Sequence, residues 1–326
     1  MESWGWDEDW NATYRGQVNE GLRPARVTVG YRRLYDLATA EGIVTAARLA
    51  GKYKHEHEAE GPAAFPAVGD WVAVDLSNRG TPMIRDLLPR RTAFYRKAAG
   101  RADDAQVVAA NVDTVLLVSA LDVDFNPRRI ERYLAMAHES GARPVIVLNK
   151  TDVCDDVPAA VATLDLIRGD APVHAISAKA DVEGLRGYFS GNETVALLGS
   201  SGVGKSTITN RFLGDEVQKT RTLGVDGKGR HTTTNRYLFQ VPGGGLILDT
   251  PGMRALHVWE GHRGLEEAFA DIFELAHQCK FRDCTHRTEP GCAVRGAVSA
   301  ERLAAYHTLR AEMESLEDES RQRRYR

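Results

Sequence analysis

Residues 199–206 read GSSGVGKS and fit the pattern Gly-x-x-x-x-Gly-Lys-Ser/Thr of a phosphate-binding loop. The apolar run TVALL before the motif predicts a strand, and STITNRFLG after it predicts a helix, which is the context that the motif requires. Glycines let successive backbone N–H groups face phosphate oxygens, and the start of a helix adds positive potential. A chance glycine-rich turn is the alternative. We predict that the phosphates of a nucleotide are bound by Gly199, Ser200, Ser201, Gly202, Val203, Gly204, Lys205, Ser206 and Thr207.

Two side chains of this loop, and two residues further along the chain, have the chemistry that phosphoryl transfer needs. Lys205 would bridge the β- and γ-phosphates and so act in catalysis, and Ser206 would bind Mg²⁺. The segment LILDTPG places Asp249 at the end of a predicted strand, where its carboxylate can hold Mg²⁺ directly or through water. Gly252 can offer its N–H to the γ-phosphate with no Cβ in the way.

The segment NKTD at 149–152 ends another apolar strand and carries groups that can recognise guanine. Asp152 can accept hydrogen bonds from the ring N1–H and the exocyclic amine of guanine, a donor pair that adenine lacks. Asn149 would tie this loop to the phosphate loop, and the Lys150 side chain would lie over the ring. The segment SAK at 177–179 ends the next strand, where backbone N–H groups could meet the guanine oxygen. NKTD alone could be an ordinary loop, but beside a phosphate loop it predicts a guanine site formed by Asn149, Lys150, Thr151, Asp152, Ser177, Ala178 and Lys179.

The order of these motifs is unusual. Along this chain the two base-binding segments come first, followed by the phosphate loop, the switch segment and the Mg²⁺-binding segment. In most GTPases the phosphate loop comes first and the base-binding segments come last. A circular permutation converts one order into the other. The site can survive it because the carboxyl ends of parallel strands meet at one edge of the sheet whatever the connections.

Residues 227–234, GKGRHTTT, form the candidate switch segment. One of its three threonines should complete the Mg²⁺ shell, and we favour Thr233. Many small GTPases place a Gln after Asp-x-x-Gly to orient the attacking water, but Met253 stands there and a thioether cannot do so. His231 could orient or deprotonate water instead, or Arg230 could offset phosphate charge, or both could contact only solvent or RNA. We therefore expect slow intrinsic hydrolysis that a partner accelerates.

A cluster of three cysteines and one histidine follows the GTPase motifs. Thiolates with one imidazole form a set that Zn²⁺ prefers in closed tetrahedral sites, and such a metal is structural because no position remains for water. Free thiols beside a surface histidine are the alternative, and Cys154 lies outside the spacing. We predict one structural zinc ion bound by Cys279, Cys284, His286 and Cys292.

The remaining sequence predicts the elements that position these sites. Short alternating strands with Gly, Pro and Asn between them predict a small β-barrel over residues 25–88, with 55–69 as a long loop. Near-continuous apolar strands that alternate with helical segments predict a doubly wound α/β domain over about 106–260. Helical segments are expected around 264–278 and 299–322.

These patterns divide the chain into four expected parts. The first is an N-terminal extension, the second a barrel that binds RNA, the third a circularly permuted GTPase domain, and the fourth a helical zinc-binding domain. The corresponding ranges are 1–24, 25–105, 106–262 and 263–326.

Composition limits the function classes. The chain has 326 residues, 43% of them hydrophobic, and a net charge of −3, so it shows no overall signature of polyanion binding. No run approaches the roughly 18 apolar residues of a membrane span, and the acidic, Trp-rich start MESWGWDEDWN is unlike a signal peptide, so we expect a cytoplasmic protein. Nothing suggests more than a monomer.

The barrel segment is locally basic, which is typical either of a solvated face or of an RNA contact. The candidates for RNA contact are Lys52, Lys54, Arg90, Arg91, Arg96 and Lys97.

Taken in order, NKTD, SAK, GSSGVGKST, GRHTTT, DTPG and Cys-x4-Cys-x-His-x5-Cys closely resemble the ribosome small-subunit-dependent GTPase A family. FPAVGDWVAV and DFNPRRIERYL are also similar to that family, so the resemblance covers nearly the whole chain. It implies that the barrel is of OB type. It also implies a role in late maturation of the small (30S) ribosomal subunit, contact with rRNA, and GTP hydrolysis to GDP stimulated by that particle.

Two other functions are compatible with the motifs. The chain could be a nucleotide-dependent RNA-binding switch whose hydrolysis is incidental to binding. It could also be a GTPase that acts on a partner outside the ribosome, with the zinc domain as a protein-docking module.

Overall fold

The computed structural model describes residues 1–18, 21–31, 34–77, 81–97, 105–223, 236–249 and 262–324. A closed five-stranded barrel lies near the N-terminus, as the alternating pattern predicted. Its strands run in the order β1-β2-β3-β5-β4, and β4 pairs again with β1. These strands are β1 (Arg23–Gly30), β2 (Tyr35–Thr39), β3 (Gly42–Leu49), β4 (Trp71–Asp75) and β5 (Met83–Leu87).

The expected loop at 55–69 is only partly a loop. Helix α2 (Gly51–His57) runs into its start, and two short 3₁₀ turns, Glu58–Glu60 and Pro62–Ala64, follow. Tyr53 explains the helix, because its ring is buried and its hydroxyl donates to the carbonyl oxygen of Ala64 at 2.7 Å. Burial of one large aromatic side chain outweighs the weak helical pattern of a short, charged segment.

An N-terminal helix, α1 (Glu8–Gln17), packs against β4 of the barrel. Asp7 caps it by accepting from the backbone N–H of Trp10 at 2.8 Å. The rings of Trp6 and Trp10 lie 4.7 Å and 6.1 Å from the ring of Trp71 in β4. The N-terminal tryptophans therefore pack on a strand of the barrel.

The α/β sheet has the order β10-β9-β8-β11-β13-β12. Its pairs are parallel except β12–β13. Strands β8 and β11 are buried along their full lengths, which accounts for their unbroken apolar sequences. The strands are β8 (Thr114–Ala120), β9 (Arg143–Asn149), β10 (Val173–Ala175), β11 (Thr194–Leu198), β12 (Arg236–Gln240) and β13 (Leu246–Asp249).

Helices cover both faces of this sheet. Ile130 and Leu134 of α3 (Pro127–Ser140) join the hydrophobic core on one face, and Ile208 and Phe212 of α5 (Lys205–Leu223) join the core on the other. Helix α4 (Val157–Ala162) lies between β9 and β10 in the chain. The doubly wound arrangement that the sequence predicted is thus present.

One pairing joins the barrel to the sheet. Strand β1 is antiparallel to β12, with Val29 opposite Tyr237 and Gly30 opposite Arg236, so the two units share an eleven-stranded sheet. A separate ribbon of β6 (Ala93–Lys97) and β7 (Ala105–Ala110) lies between them in the chain.

The C-terminal region is helical around the cysteine cluster, as predicted. Helix α6 (His262–Ala268) packs on α3, and α7 (Ala270–Ala276) and α8 (Ala300–Arg324) complete the region. Phe269 is fully buried and contacts the ring of Tyr306 at 5.5 Å. No helix within the described ranges is both long and apolar enough to cross a membrane.

Candidate nucleotide-binding site and metal centre

The predicted phosphate loop connects the end of β11 to the start of α5, at the centre of the sheet edge. Gly204 has a φ of +103°, and a Cβ at this position would collide with Nδ2 of Asn149, so the loop requires glycine here. Val203 is buried and anchors the loop, whereas Ser206 is exposed in the first turn of α5.

The ammonium group of Lys205 lies within the loop. Its Nζ donates to the carbonyl oxygens of Gly199 and Ser200, each at 2.6 Å. Asp249 ends β13, one residue beyond Leu248, which pairs with Ala196 of the adjacent β11. Lys205, Ser206 and Asp249 therefore lie at one edge of the sheet, because they follow or end two parallel neighbouring strands.

Asn149 joins the three predicted loops. Its side chain is buried, its Nδ2 donates to the carbonyl oxygen of Val203 at 2.8 Å, and its Oδ1 accepts from the backbone N–H of Ala178 at 2.9 Å. The NKTD segment, the SAK segment and the phosphate loop are thus held together by one amide side chain. Arg211 of α5 also donates to the carbonyl oxygens of Ala178 and Lys179.

Asp152 is presented at the end of the NKTD segment as an ionised acceptor. The hydroxyl of Ser177 donates to its Oδ1 at 2.7 Å, and Nζ of Lys179 lies 3.6 Å from its Oδ2. The hydrogen bond from Ser177 holds the pKa of Asp152 below its usual range. A carboxylate that stays ionised is what the two N–H donors of guanine need.

Lys150 and Thr151 shape the turn that presents this carboxylate. Lys150 has a φ of 67°, a left-handed conformation that is uncommon outside glycine, and its Nζ lies 2.7 Å from the carboxylate of Asp122. The backbone N–H of Thr151 donates to the carbonyl oxygen of Ile176 at 3.2 Å. The unusual backbone at Lys150 is therefore supported from both sides.

Sequence reasoning missed two side chains of α3 that reach the phosphate loop. Nη1 of Arg129 donates to Oγ of Ser200 at 2.8 Å, and the hydroxyl of Tyr133 lies 3.3 Å from the same oxygen. Arg129 is 71 positions from Ser200 in the chain, so no local pattern links them. The one sequence signal was the segment DFNPRRIERYL, which contains both residues and resembles the family pattern, but nothing in it indicates a contact with the phosphate loop.

Several predicted residues lie outside the described residues. These are Gly252 and the switch segment with His231 and Thr233. Their predicted roles stay predictions.

The three thiols and the imidazole of the predicted metal centre converge. The ligand atoms of Cys279, Cys284, His286 and Cys292 all lie within 4.8 Å of one another. Nδ1 of His286 lies 3.7 Å and 3.5 Å from the sulfurs of Cys279 and Cys292, which are 4.0 Å apart. Ligands about 2.3 Å from a tetrahedral ion would be roughly 3.7 Å apart, so this cluster could hold a metal ion.

Of the basic candidates for RNA contact, Arg90 is engaged in contacts within the protein. Its guanidinium forms an ion pair with the fully buried Asp70 at 2.7 Å and donates to the carbonyl oxygens of Ala63 and Phe65. Arg91 forms an ion pair with Asp7 at 2.6 Å and lies over the ring of Trp10. Both therefore support the barrel framework. Lys52 is exposed, and the side chain of Lys97 is not described.

Comparisons with known proteins agree with this arrangement. The family model described as RsgA GTPase matches residues 87–259. A relative from Opitutus terrae, named "Small ribosomal subunit biogenesis GTPase RsgA", is 46% identical, over 96% of this chain and 89% of its own length. A relative of the same name from Methanosarcina acetivorans is 43% identical, over 84% of this chain and 80% of its own length.

Solved structures show the same fold. The crystal structure of YjeQ from Thermotoga maritima is 26% identical with a TM-score of 0.66, covering 90% of this chain and 98% of that one. YloQ, described as a circularly permuted GTPase, is 22% identical with a TM-score of 0.63, covering 92% of this chain and 97% of that one. With the motif order and site geometry, these findings identify a GTP hydrolase of permuted order, and the chain belongs to the RsgA GTPase family.

Proposed function

We propose that this GTP hydrolase binds the small (30S) ribosomal subunit, acts in its late maturation, and hydrolyses GTP faster when bound there. The observation that carries the nucleotide part is the contact of Asn149 with both the phosphate loop and the SAK segment. This contact supports a single site in which Asp152 would select guanine and the phosphate loop would bind the phosphates. The names of the relatives support the ribosomal part.

In this proposal the residues of the NKTD, SAK and phosphate-loop segments bind GTP. Lys205 contacts the β- and γ-phosphates, and Gly252 donates to the γ-phosphate. Mg²⁺, when bound, neutralises charge on the phosphates. A hydroxyl and a carboxylate at one sheet edge are ligands that suit this hard cation, and Ser206, Thr233 and Asp249 would hold it. His231 would orient the attacking water.

Zn²⁺ is the metal that best suits three sulfurs and one imidazole. Burial lowers the pKa of His286, which keeps its imidazole neutral, as a ligand must be. With four protein ligands the ion would be structural and would hold the region between α7 and α8.

The proposed domains are an N-terminal extension (1–24), an OB-type RNA-binding barrel (25–105), the permuted GTPase domain (106–262) and the zinc-binding domain (263–326). The barrel order β1-β2-β3-β5-β4-β1 supports the second assignment. The barrel would contact rRNA with exposed side chains such as Lys52. We propose a monomer that works in the cytoplasm, where ribosomes are assembled.

Sedimentation of the tagged protein in lysate tests this proposal. With a non-hydrolysable GTP analogue the protein should migrate with small subunits, and with GDP it should not. Migration with small subunits whichever nucleotide is present would favour an RNA-binding protein whose hydrolysis is incidental. Absence from every ribosomal fraction would favour a partner outside the ribosome and refute the proposal.

A further inference from the structure

We infer that Arg129, together with Tyr133, is a positioning residue for the phosphate loop. Both act through the hydroxyl of Ser200, the second residue of the motif. This inference rests on the proposed nucleotide site, and it assigns a function to two residues of the DFNPRRIERYL segment, for which the sequence resemblance gave no role.

Ser200 is contacted from two sides. Its hydroxyl accepts from Nη1 of Arg129 at 2.8 Å and lies 3.3 Å from the hydroxyl of Tyr133, while its carbonyl oxygen accepts from Nζ of Lys205 at 2.6 Å. Arg129 and Tyr133 are four positions apart in α3 and therefore lie on one face of the helix. Ser200, whose carbonyl oxygen accepts a hydrogen bond from Lys205, is thus held in place by a neighbouring helix.

Arg129 is itself held in one orientation. Its Nη1 and Nη2 donate to the two carboxylate oxygens of Asp124 at 2.8 Å and 3.2 Å, a paired contact that fixes the plane of the guanidinium. The backbone N–H of Asp124 donates to Oδ1 of Asp122, whose other oxygen accepts from Nζ of Lys150 at 2.7 Å. The connection between β8 and α3 therefore braces the phosphate loop and the base-binding loop together.

Helix α3 can serve as a brace because it is itself immobilised. Ile130 and Leu134 are buried in the core, and Glu131 is buried against Arg302 of α8. Asn126 caps the helix by accepting from the backbone N–H of Arg129 at 3.3 Å. A phosphate loop held by such an element pays less conformational entropy when phosphates bind.

The ion pair with Asp124 also makes it possible to distinguish a positioning role of Arg129 from simple attraction between its charge and the phosphates. Because Asp124 compensates the guanidinium, Arg129 adds little net positive potential at the phosphates. A positioning role predicts an equal loss of affinity for GDP and GTP when Arg129 is removed. Charge attraction predicts a larger loss for GTP, and a similar loss when another nearby arginine is removed.

Titration with fluorescent GDP and GTP analogues tests this inference. Arg129→Ala should raise the Kd of both nucleotides by about 5- to 20-fold, the range for a charge-assisted hydrogen bond with a partly exposed donor. Ser200→Ala should raise both by a similar factor, and the double variant by no more than the larger single effect, because both remove the same contact. Arg128→Ala is the matched control, since Arg128 is exposed on the same helix and carries the same charge; it should bind like the parent.

Three results would overturn the inference. The first is an Arg129→Ala variant whose Kd values lie within 2-fold of the parent, and the second is a double variant whose increase in Kd is the product of the two single increases. The third is a loss of affinity that is greater for GTP than for GDP and that Arg128→Ala also shows. Tyr133→Phe, which removes only a hydroxyl, should raise both Kd values about 2- to 3-fold, and unchanged binding there would count against the role of Tyr133. If Arg129→Ala does not fold, Arg129→Lys replaces it, and parent-like affinity for the lysine variant would refute the need for the forked contact. A parent protein that binds neither nucleotide would instead refute the proposed site.

Discussion

Replacing Arg302 by Met should destabilise the junction between the α/β domain and the C-terminal helices by about 3–5 kcal/mol. Arg302 of α8 lies 8% exposed among carbonyl and carboxylate groups. Its Nε and Nη2 donate to the two carboxylate oxygens of Asp271 at 3.0 Å and 2.6 Å. Its Nη2 also donates to the carbonyl oxygen of Ala268 at 2.9 Å, and its Nη1 donates to the carboxylate of Glu131 in α3.

The magnitude follows from what the substitution leaves behind. Glu131 is 3% exposed, so without Arg302 its carboxylate would be buried without its ion-pair partner. Breaking a buried pair from one side is costly for this reason, whereas replacing both partners by apolar residues is often close to neutral. At about 2–4 °C per kcal/mol for a unit of this size, Arg302→Met should lower the melting temperature by on the order of 10 °C.

Differential scanning calorimetry of three variants measures this effect. Arg310→Met is the control, because Arg310 pairs with Glu314 one turn away on the same helix, where both side chains are partly exposed. It should cost about 0.5 kcal/mol. Glu131→Leu combined with Arg302→Met should recover most of the lost stability. An Arg302→Met protein that melts within 2 °C of the parent, or a double variant whose losses add, would show that the buried pair does not hold this junction.

Three further predictions concern the nucleotide and metal sites. Asp152→Asn should weaken GTP binding and improve the relative binding of xanthosine triphosphate, and an unchanged GTP affinity in a fluorescence titration would contradict the guanine assignment. Elemental analysis of protein purified without chelator should find one zinc ion per chain, and Cys284→Ser should lower that content while nucleotide binding persists. Small subunits should raise the hydrolysis rate about 10-fold or more, and His231→Ala should lose most of that increase while keeping its GTP affinity; equal stimulation of this variant would exclude His231 as the residue that positions water.

The binding segments at the edge of the sheet could be predicted from sequence because each one is recognised from residues that are close together in the chain. The NKTD segment and the phosphate loop each follow an apolar run, and a buried parallel strand needs such a run. The carboxyl ends of parallel strands meet at one edge, so NKTD, SAK and the phosphate loop had to converge, and Asn149 joins them as expected. The metal cluster was predictable for a similar reason, since its four ligands are close in the chain.

Contacts between distant segments could not be predicted in this way. The pairing of β1 with β12 depends on where two unpaired strand edges meet, and neither strand encodes its partner. The ion pair of Arg90 could not be predicted, because a basic residue in a basic segment resembles a surface charge. Its partner Asp70 is 20 positions away, and only the closed barrel brings the two together.

Helix α3 contacts both α6 and the phosphate loop. After Asp249 the chain leads to α6, which packs closely on α3: a Cβ on Gly264 would collide with the backbone of Ala135, and the N–H of Gly264 donates to Glu139 at 3.0 Å. The other end of α3 contacts Ser200. In a chain of the usual order, the strand that ends at Asp249 would be followed by the rest of the GTPase domain, but here it is followed in the chain by the helices beside the cysteine cluster. Helix α3 therefore connects the phosphate loop near one end with α6, and so with the C-terminal helices, near the other.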